Sequence, residues 1–108
     1  MSKFAVFFTF TGATVKRMMD KPSDRAAIVS KLCEDAGGRM EAYYGMFGAW
    51  DGFVIAEVPD SSAAAAISLA VSSSGAFGRI ETHELLEASQ LNESLAKAAQ
   101  LTYAPPGA

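Results

Sequence analysis

The sequence predicts an α+β fold in which one four-stranded antiparallel sheet carries helices on a single face. Two observations lead there. The elements follow the order strand, helix, strand, strand, helix, strand, and an extra helix comes last. Apolar residues occupy both faces of the first and third strands, whereas the second and fourth strands alternate. A strand that is apolar on both sides is covered on both sides, and an alternating one leaves a face wet.

Lys3 to Thr11 is the first strand, with Phe4, Val6, Phe8 and Phe10 on one face and Ala5, Phe7, Thr9 and Thr11 on the other. Thr11-Gly12-Ala13-Thr14 interrupts it, and Val15 to Met19 makes a short helical turn. Pro22-Ser23-Asp24 starts the main helix, where Ser23 is placed to cap the first free amides and Asp24 to complement the dipole. Its apolar stripe is Ala26, Ala27, Ile28, Val29, Leu32, Cys33 and Ala36, with Arg25, Lys31, Glu34 and Asp35 outside. Gly37-Gly38 closes it in a left-handed cap.

Arg39 to Phe47, the second strand, puts Met40, Ala42, Tyr44 and Met46 on one face and Arg39, Glu41, Tyr43, Gly45 and Phe47 on the other. A hairpin at Gly48–Gly52 leads into the third strand, Phe53 to Val58. Asp60-Ser61-Ser62 caps a second helix from Ala63 to about Ser72, whose inward residues are Ala63, Ala66, Ile67, Ala70 and Val71. So much alanine favours close approach to the sheet. Phe77 to Leu86 is the fourth strand, with Arg79, Glu81 and His83 on one face and Ile80, Thr82 and Glu84 on the other. Ala88 to Leu101 is the last helix, with Leu91, Leu95, Ala98 and Ala99 in period. Residues 1–101 thus form one domain, and 102–108, with Pro105-Pro106-Gly107, form a tail that is mobile or docked on a neighbour.

Two right-handed βαβ crossovers in this order give the ferredoxin-like βαββαβ arrangement, strand order fourth-first-third-second, with an extra C-terminal helix. Helices then cover one face only, although the central strands are apolar on both. Leaving several large side chains wet is costly at about 1.5–3 kcal/mol each. The candidate covers are the chain's own terminal segments or a second copy of the same sheet; the second copy is the one expected, paired as a dimeric α/β barrel with the last helix reaching over the partner.

Composition narrows the function classes. The chain of 108 residues is half hydrophobic and carries 12 acids against 9 bases, a net charge of −3. No basic run interleaved with aromatics is present, so no nucleic-acid partner is expected. Charge is uneven: residues 1–40 carry +3 and residues 41–108 carry −6. Cys33, the single cysteine, lacks metal-ligand spacing and reads as a small buried apolar residue. No signal peptide precedes the first strand and no apolar run reaches membrane-spanning length, so a cytoplasmic protein without membrane association is expected.

The densest stretch is Gly48-Ala49-Trp50-Asp51-Gly52, running into Phe53-Val54-Ile55-Ala56-Glu57-Val58 and stopping at Pro59-Asp60. The glycines suit a tight hairpin, Asp51 suits a turn cap, and Trp50 suits a lid over the sheet edge or a neighbouring chain. A ligand site at the turn is the other reading. These residues resemble the GYD domain family, whose name-giving glycine–tyrosine–aspartate hairpin matches Gly48, Trp50 and Asp51. The Phe-rich opening strand, the Gly37-Gly38 break and the strand from Gly78 to Leu85 extend the likeness over most of residues 3–88. The resemblance implies a ferredoxin-like chain of the dimeric α/β-barrel type and supplies no reaction. Trp50 stands where the family name places tyrosine, so packing is the role carried over to it, not a phenol hydroxyl.

For chemistry, His83 is the single histidine and the candidate catalytic residue. On the helix-free face it would share a cavity with Arg79, Glu81, Tyr43 and Glu41, as a general base or as a haem or metal ligand. A polar edge-strand residue is the plainer reading, and one histidine without a spaced partner assigns no metal. GxSxG, P-loop and dinucleotide fingerprints are all missing, and no cofactor is assigned. Two function classes remain. One is an oligomeric small-molecule-binding protein, its ligand between sheet and helices or at the barrel mouth, contacted by Phe8, Tyr43, Trp50, Asp51 and His83. The other is a non-catalytic oligomerisation or regulatory module. By fold analogy the barrel also hosts cofactor-independent oxygenases, isomerases and haem enzymes.

Overall fold

The computed structural model describes residues 1–107; Ala108, the end of the expected tail, lies outside the described residues. The elements are β1 (Ser2–Phe10), α1 (Gly12–Asp20), α2 (Arg25–Asp35), β2 (Arg39–Gly45), β3 (Gly52–Val58), α3 (Ser61–Ser72), β4 (Phe77–Leu85) and α4 (Ala88–Ala98). The sheet runs β2-β3-β1-β4 with every neighbouring pair antiparallel, the order the two-faced apolar patterning requires. The fold is ferredoxin-like α+β, as expected.

Phe4, Val6, Phe8 and Phe10 of β1 face the helices, next to Val54, Ala56 and Val58 of β3. Two buried clusters hold this side together: Phe8, Cys33, Val54 and Ala56, and further along Phe4, Val58 and Ala64. Each large side chain so buried stabilises by about 1.5–3 kcal/mol. The opposite side of the sheet presents Phe7, Phe53, Trp50, Tyr44 and His83, stacked on one another and under no helix.

Several local expectations are revised. The short turn after β1 is a nine-residue helix, α1, because the Thr11 hydroxyl accepts from the Thr14 amide at 3.2 Å and buried Thr14 anchors its first turn. Asp24, not Ser23, caps α2 by accepting from the Ala27 amide at 3.0 Å. On α3 the inward residues are Ala63, Ala64, Ile67 and Val71, while Ala66 and Ala70 face solvent. On α2, Ala27 and Ile28 are exposed and Arg25 is half-buried, the reverse of what was expected for each. In β2 the register slips between Met40 and Ala42, so the strict alternation expected there fails. A bulge moves one residue out of step. Met40 pairs with Ala56 and Tyr43 with Val54 on the helix side, while Ala42 pairs with Ile55 and Tyr44 with Phe53 on the open side.

The last helix ends at Ala98, short of the expected Leu101. Every residue of α4 is exposed, including Leu91 (49%) and Leu95 (58%) of the stripe expected to reach over a partner. The radius of gyration is 17.3 Å, against about 13 Å for a compact chain of this length. Thr102 to Gly107 continue without helix or strand, and they too are exposed.

The hairpin tip is fastened to the far end of β1. Gly48 adopts φ 130°, which turns the chain, and Gly52 enters β3 where an added Cβ would lie 2.5 Å from the Phe8 ring and 2.8 Å from the Tyr44 carbonyl. Between them, the Asp51 amide donates to the Phe8 carbonyl at 2.8 Å, and the Asp51 carboxylate accepts from the Phe10 amide at 2.8 Å. A partly buried amide that loses its acceptor costs about 1–3 kcal/mol. Asp51→Ala is therefore expected to lower the unfolding free energy by about that amount, read from urea denaturation. An unchanged midpoint would show that water replaces the carboxylate at no cost.

Candidate functional site

α2 lies over β2 and β3, and α3 over β3 and β4, so the two helices lean towards opposite edges of the sheet. Between them lies a partly open chamber of about 180 Å³. Its floor is Phe4, Val6 and Phe8 of β1 with Val54, Ala56 and Val58 of β3; its walls include Val29, Leu32 and Cys33 of α2 and Ala64, Ile67 and Val71 of α3. The small alanine side chains of α3 leave space above the floor that a bulkier helix would fill.

The polar groups on this surface are few: Arg25, Tyr43, Ser74 and Thr82. Ser74 is already engaged, donating to the Val71 carbonyl at 2.7 Å and accepting from the Ala76 amide at 3.2 Å. Thr82 shares a hydroxyl–hydroxyl bond with Ser68 at 3.0 Å. Burial pushes the Tyr43 phenol up, partly offset by the positive charge of Arg25 nearby, so Tyr43 holds its proton at neutral pH.

A second, wider depression adjoins the chamber. It is bordered by Met18, Asp24, Met46, Phe47 and Asp51, and it shares Phe10, Arg25 and Tyr43 with the chamber. Those three residues therefore form a threshold between the apolar interior and a more open mouth that carries the Asp24 and Asp51 carboxylates. Sequence reasoning assigned Arg25 to the outside of its helix, yet the signal was present: Arg25, Val29 and Cys33 stand at i, i+4 and i+8, one face of a helix.

On the open face Phe7 is the centre, with ring centroids at 5.9 Å to Trp50, 5.7 Å to Phe53 and 6.0 Å to His83. The Arg79 guanidinium lies 4.4 Å over the Trp50 ring and 3.2 Å from the Glu81 carboxylate. His83 Nε2 is 3.5 Å from Glu81, the long limit of a hydrogen bond. Towards the other end, Lys3 and Arg39 pair with Glu41 and Glu57, and the hydrogen bond from Arg39 holds the Glu57 carboxyl below the usual range.

The expected site residues thus divide between the two faces of the sheet. Phe8 and Tyr43 line the chamber; Trp50 and His83 lie on the open face; Asp51 borders the mouth while fastened to Phe10. His83, Arg79 and Glu81 come together as drawn from the sequence. Tyr43 is on the opposite side of the sheet from them, and Glu41 is taken up by Lys3 and Arg39. No single cavity unites all five.

Fold and chamber together define a ferredoxin-like α+β domain with an apolar hollow beneath its helices. The family model of the GYD domain matches residues 4–95 of the 108-residue chain, and the chain belongs to the GYD domain family. No curated protein and no solved structure matches it. Among the described residues, no helix is long and apolar enough to cross a membrane, and no three His, Cys, Asp or Glu side chains are grouped as metal ligands.

Cys33 provides a probe of the chamber wall. It is 2% exposed, burial pushes its thiol up, and Glu34 adds to the shift. Since the thiolate is the reacting form, iodoacetamide at neutral pH is expected to alkylate the native thiol roughly tenfold or more slowly than the urea-unfolded one. Equal rates, followed by mass spectrometry, would mean that the wall opens freely to solvent.

Proposed function

We propose that the chain is the subunit of a homo-oligomer that binds a small, mostly apolar molecule in the chamber beneath α2 and α3. The observation that carries the reading is the chamber: about 180 Å³ of space walled by aliphatic and aromatic side chains. Side chains that line such a hollow lose dispersion contacts on one side. A ligand of matching shape restores them. An engineered apolar cavity of about 150 Å³ takes up benzene on this principle, so an aromatic ring or a short chain fits the scale.

Two features support assembly. The open face carries a platform of aromatics, with Tyr44 61% exposed, and α4 carries its leucines on a helix that touches solvent on every residue. Both are apolar surfaces that a second copy would bury in a twofold arrangement, open face to open face with each α4 reaching over the partner. The α4 stripe also favours a second reading by itself, an assembly module in which the chamber takes no ligand. No reaction is assigned under either reading.

Native mass spectrometry of protein purified without added ligand tests both halves together. Particles of two or more chains with a retained small molecule are expected. A single-chain particle would remove the assembly half, and oligomers carrying no added mass would favour the second reading. Leu91→Glu with Leu95→Glu is expected to dissociate the oligomer while leaving the single chain's unfolding free energy within about 0.5 kcal/mol of the parent, because no residue of α4 is buried within its own chain. A large loss of single-chain stability would show instead that α4 folds back on its own sheet.

A further inference from the structure

We infer that the chamber selects an amphipathic monocarboxylate, its apolar body on the Phe8 and Val54 floor and its carboxylate held at the threshold by the Arg25 guanidinium and the Tyr43 hydroxyl. The inference rests on the chamber's being a ligand site, as proposed above, and adds the chemical class.

The polar groups of the chamber separate into two kinds. Ser74 and Thr82 have hydrogen-bond partners within the protein. Arg25 and Tyr43 have none for their side chains among the described residues, although both are half-buried. These same two are the ones shared with the mouth. The unpaired donors therefore sit together where the chamber opens into the adjoining depression, a place where an apolar ligand's polar end would emerge.

Their chemistry specifies that end. A guanidinium stays protonated at any physiological pH and presents a fork of donors matched to a carboxylate. A protonated phenol adds one more donor beside it. The carboxylates at the mouth set the limit on charge. Asp24 accepts from the Ala27 amide at 3.0 Å and Asp51 from the Phe10 amide at 2.8 Å. Both acids are held in place by the fold on the depression that Arg25 and Tyr43 also border, and their charge disfavours a dianionic phosphate more than a single carboxylate. A neutral ligand would leave the Arg25 charge without a counter-ion.

Phenylacetate, phenylacetamide and toluene make the test, since the first two are nearly isosteric and differ in charge. By calorimetric titration, phenylacetate is expected to bind roughly ten- to hundredfold more tightly than phenylacetamide, the span of a charge-assisted hydrogen bond. Added salt is expected to weaken phenylacetate alone. Arg25→Gln is expected to erase the difference with phenylacetamide affinity kept, Arg25→Lys to keep part of it, and Tyr43→Phe to cost phenylacetate several-fold. The amide-binding readout also shows that each variant remains folded. Equal affinities for acid and amide, or a preference that survives Arg25→Gln, would overturn the carboxylate assignment and leave the chamber reading intact. Failure of all three probes, toluene included, to bind or to slow Cys33 alkylation would overturn the chamber reading itself.

Discussion

Three consecutive residues at the hairpin tip decide what happens on both sides of the sheet. The β1–β3 ladder ends where Phe8 meets Gly52, so the Phe10 amide beyond it has no strand partner on that side. Asp51 supplies the acceptor that β3 no longer provides, and its own amide returns a bond to the Phe8 carbonyl. Buried backbone groups need such partners, and here one side chain extends the sheet by a step. Its neighbours then point where the pleat sends them. Trp50 falls over Phe7 on the open face, and Gly52 leaves room for the Phe8 ring on the helix face.

The two faces answer the same burial requirement differently. On the helix side, α2 and α3 lean outwards and leave a hollow over the central strands. On the open side, the aromatics shield each other: Phe7 lies among Trp50, Phe53 and His83, and Arg79 stacks on Trp50. Rings at these separations add about 0.5–1.5 kcal/mol per pair beyond their buried area. That is enough to order the platform but not to remove it from water, as the exposed Tyr44 shows. The ion pairs of Lys3 and Arg39 with Glu41 and Glu57 border this face and remain partly solvated, so they shape the rim more than they stabilise it.

The sheet order was legible because it rests on a two-residue period that every strand repeats. Apolar residues from Phe4 to Phe10 on one face and from Ala5 to Phe7 on the other mark a strand with neighbours on both edges, and that placed β1 and β3 in the centre. What escaped the pattern was each departure from regularity. The β2 bulge leaves no mark in composition, yet it carries Met40 and Tyr43 to the same side. Asp24 and Ser23 are equally good caps by type, and only the start of the helix at Arg25 makes Asp24 the cap. The α4 stripe was legible as amphipathic, but periodicity does not report what a helix packs against, and within its own chain the stripe stays exposed. Of the site residues, the split of Tyr43 from Tyr44 followed from alternation, whereas Arg25 shares a helix face with Val29 and Cys33 by spacing but was placed outside on account of its charge.

Because the hairpin tip serves both faces, residues near it are poor tools for telling ligand binding from assembly. A change at Asp51 or Gly52 disturbs the Phe8 floor of the chamber and the Trp50 platform together. Arg25 and the leucines of α4 avoid that confusion. Arg25 touches the chamber and its mouth, and Leu91 and Leu95 touch neither. Substitutions at sites with no shared partners combine additively within about 0.5 kcal/mol. A chain carrying Arg25→Gln together with the α4 changes should therefore show the sum of the two separate effects. Any excess would measure a coupling between chamber and interface, and the route for it would run through β1, where Phe7 and Phe8 present adjacent side chains to opposite faces.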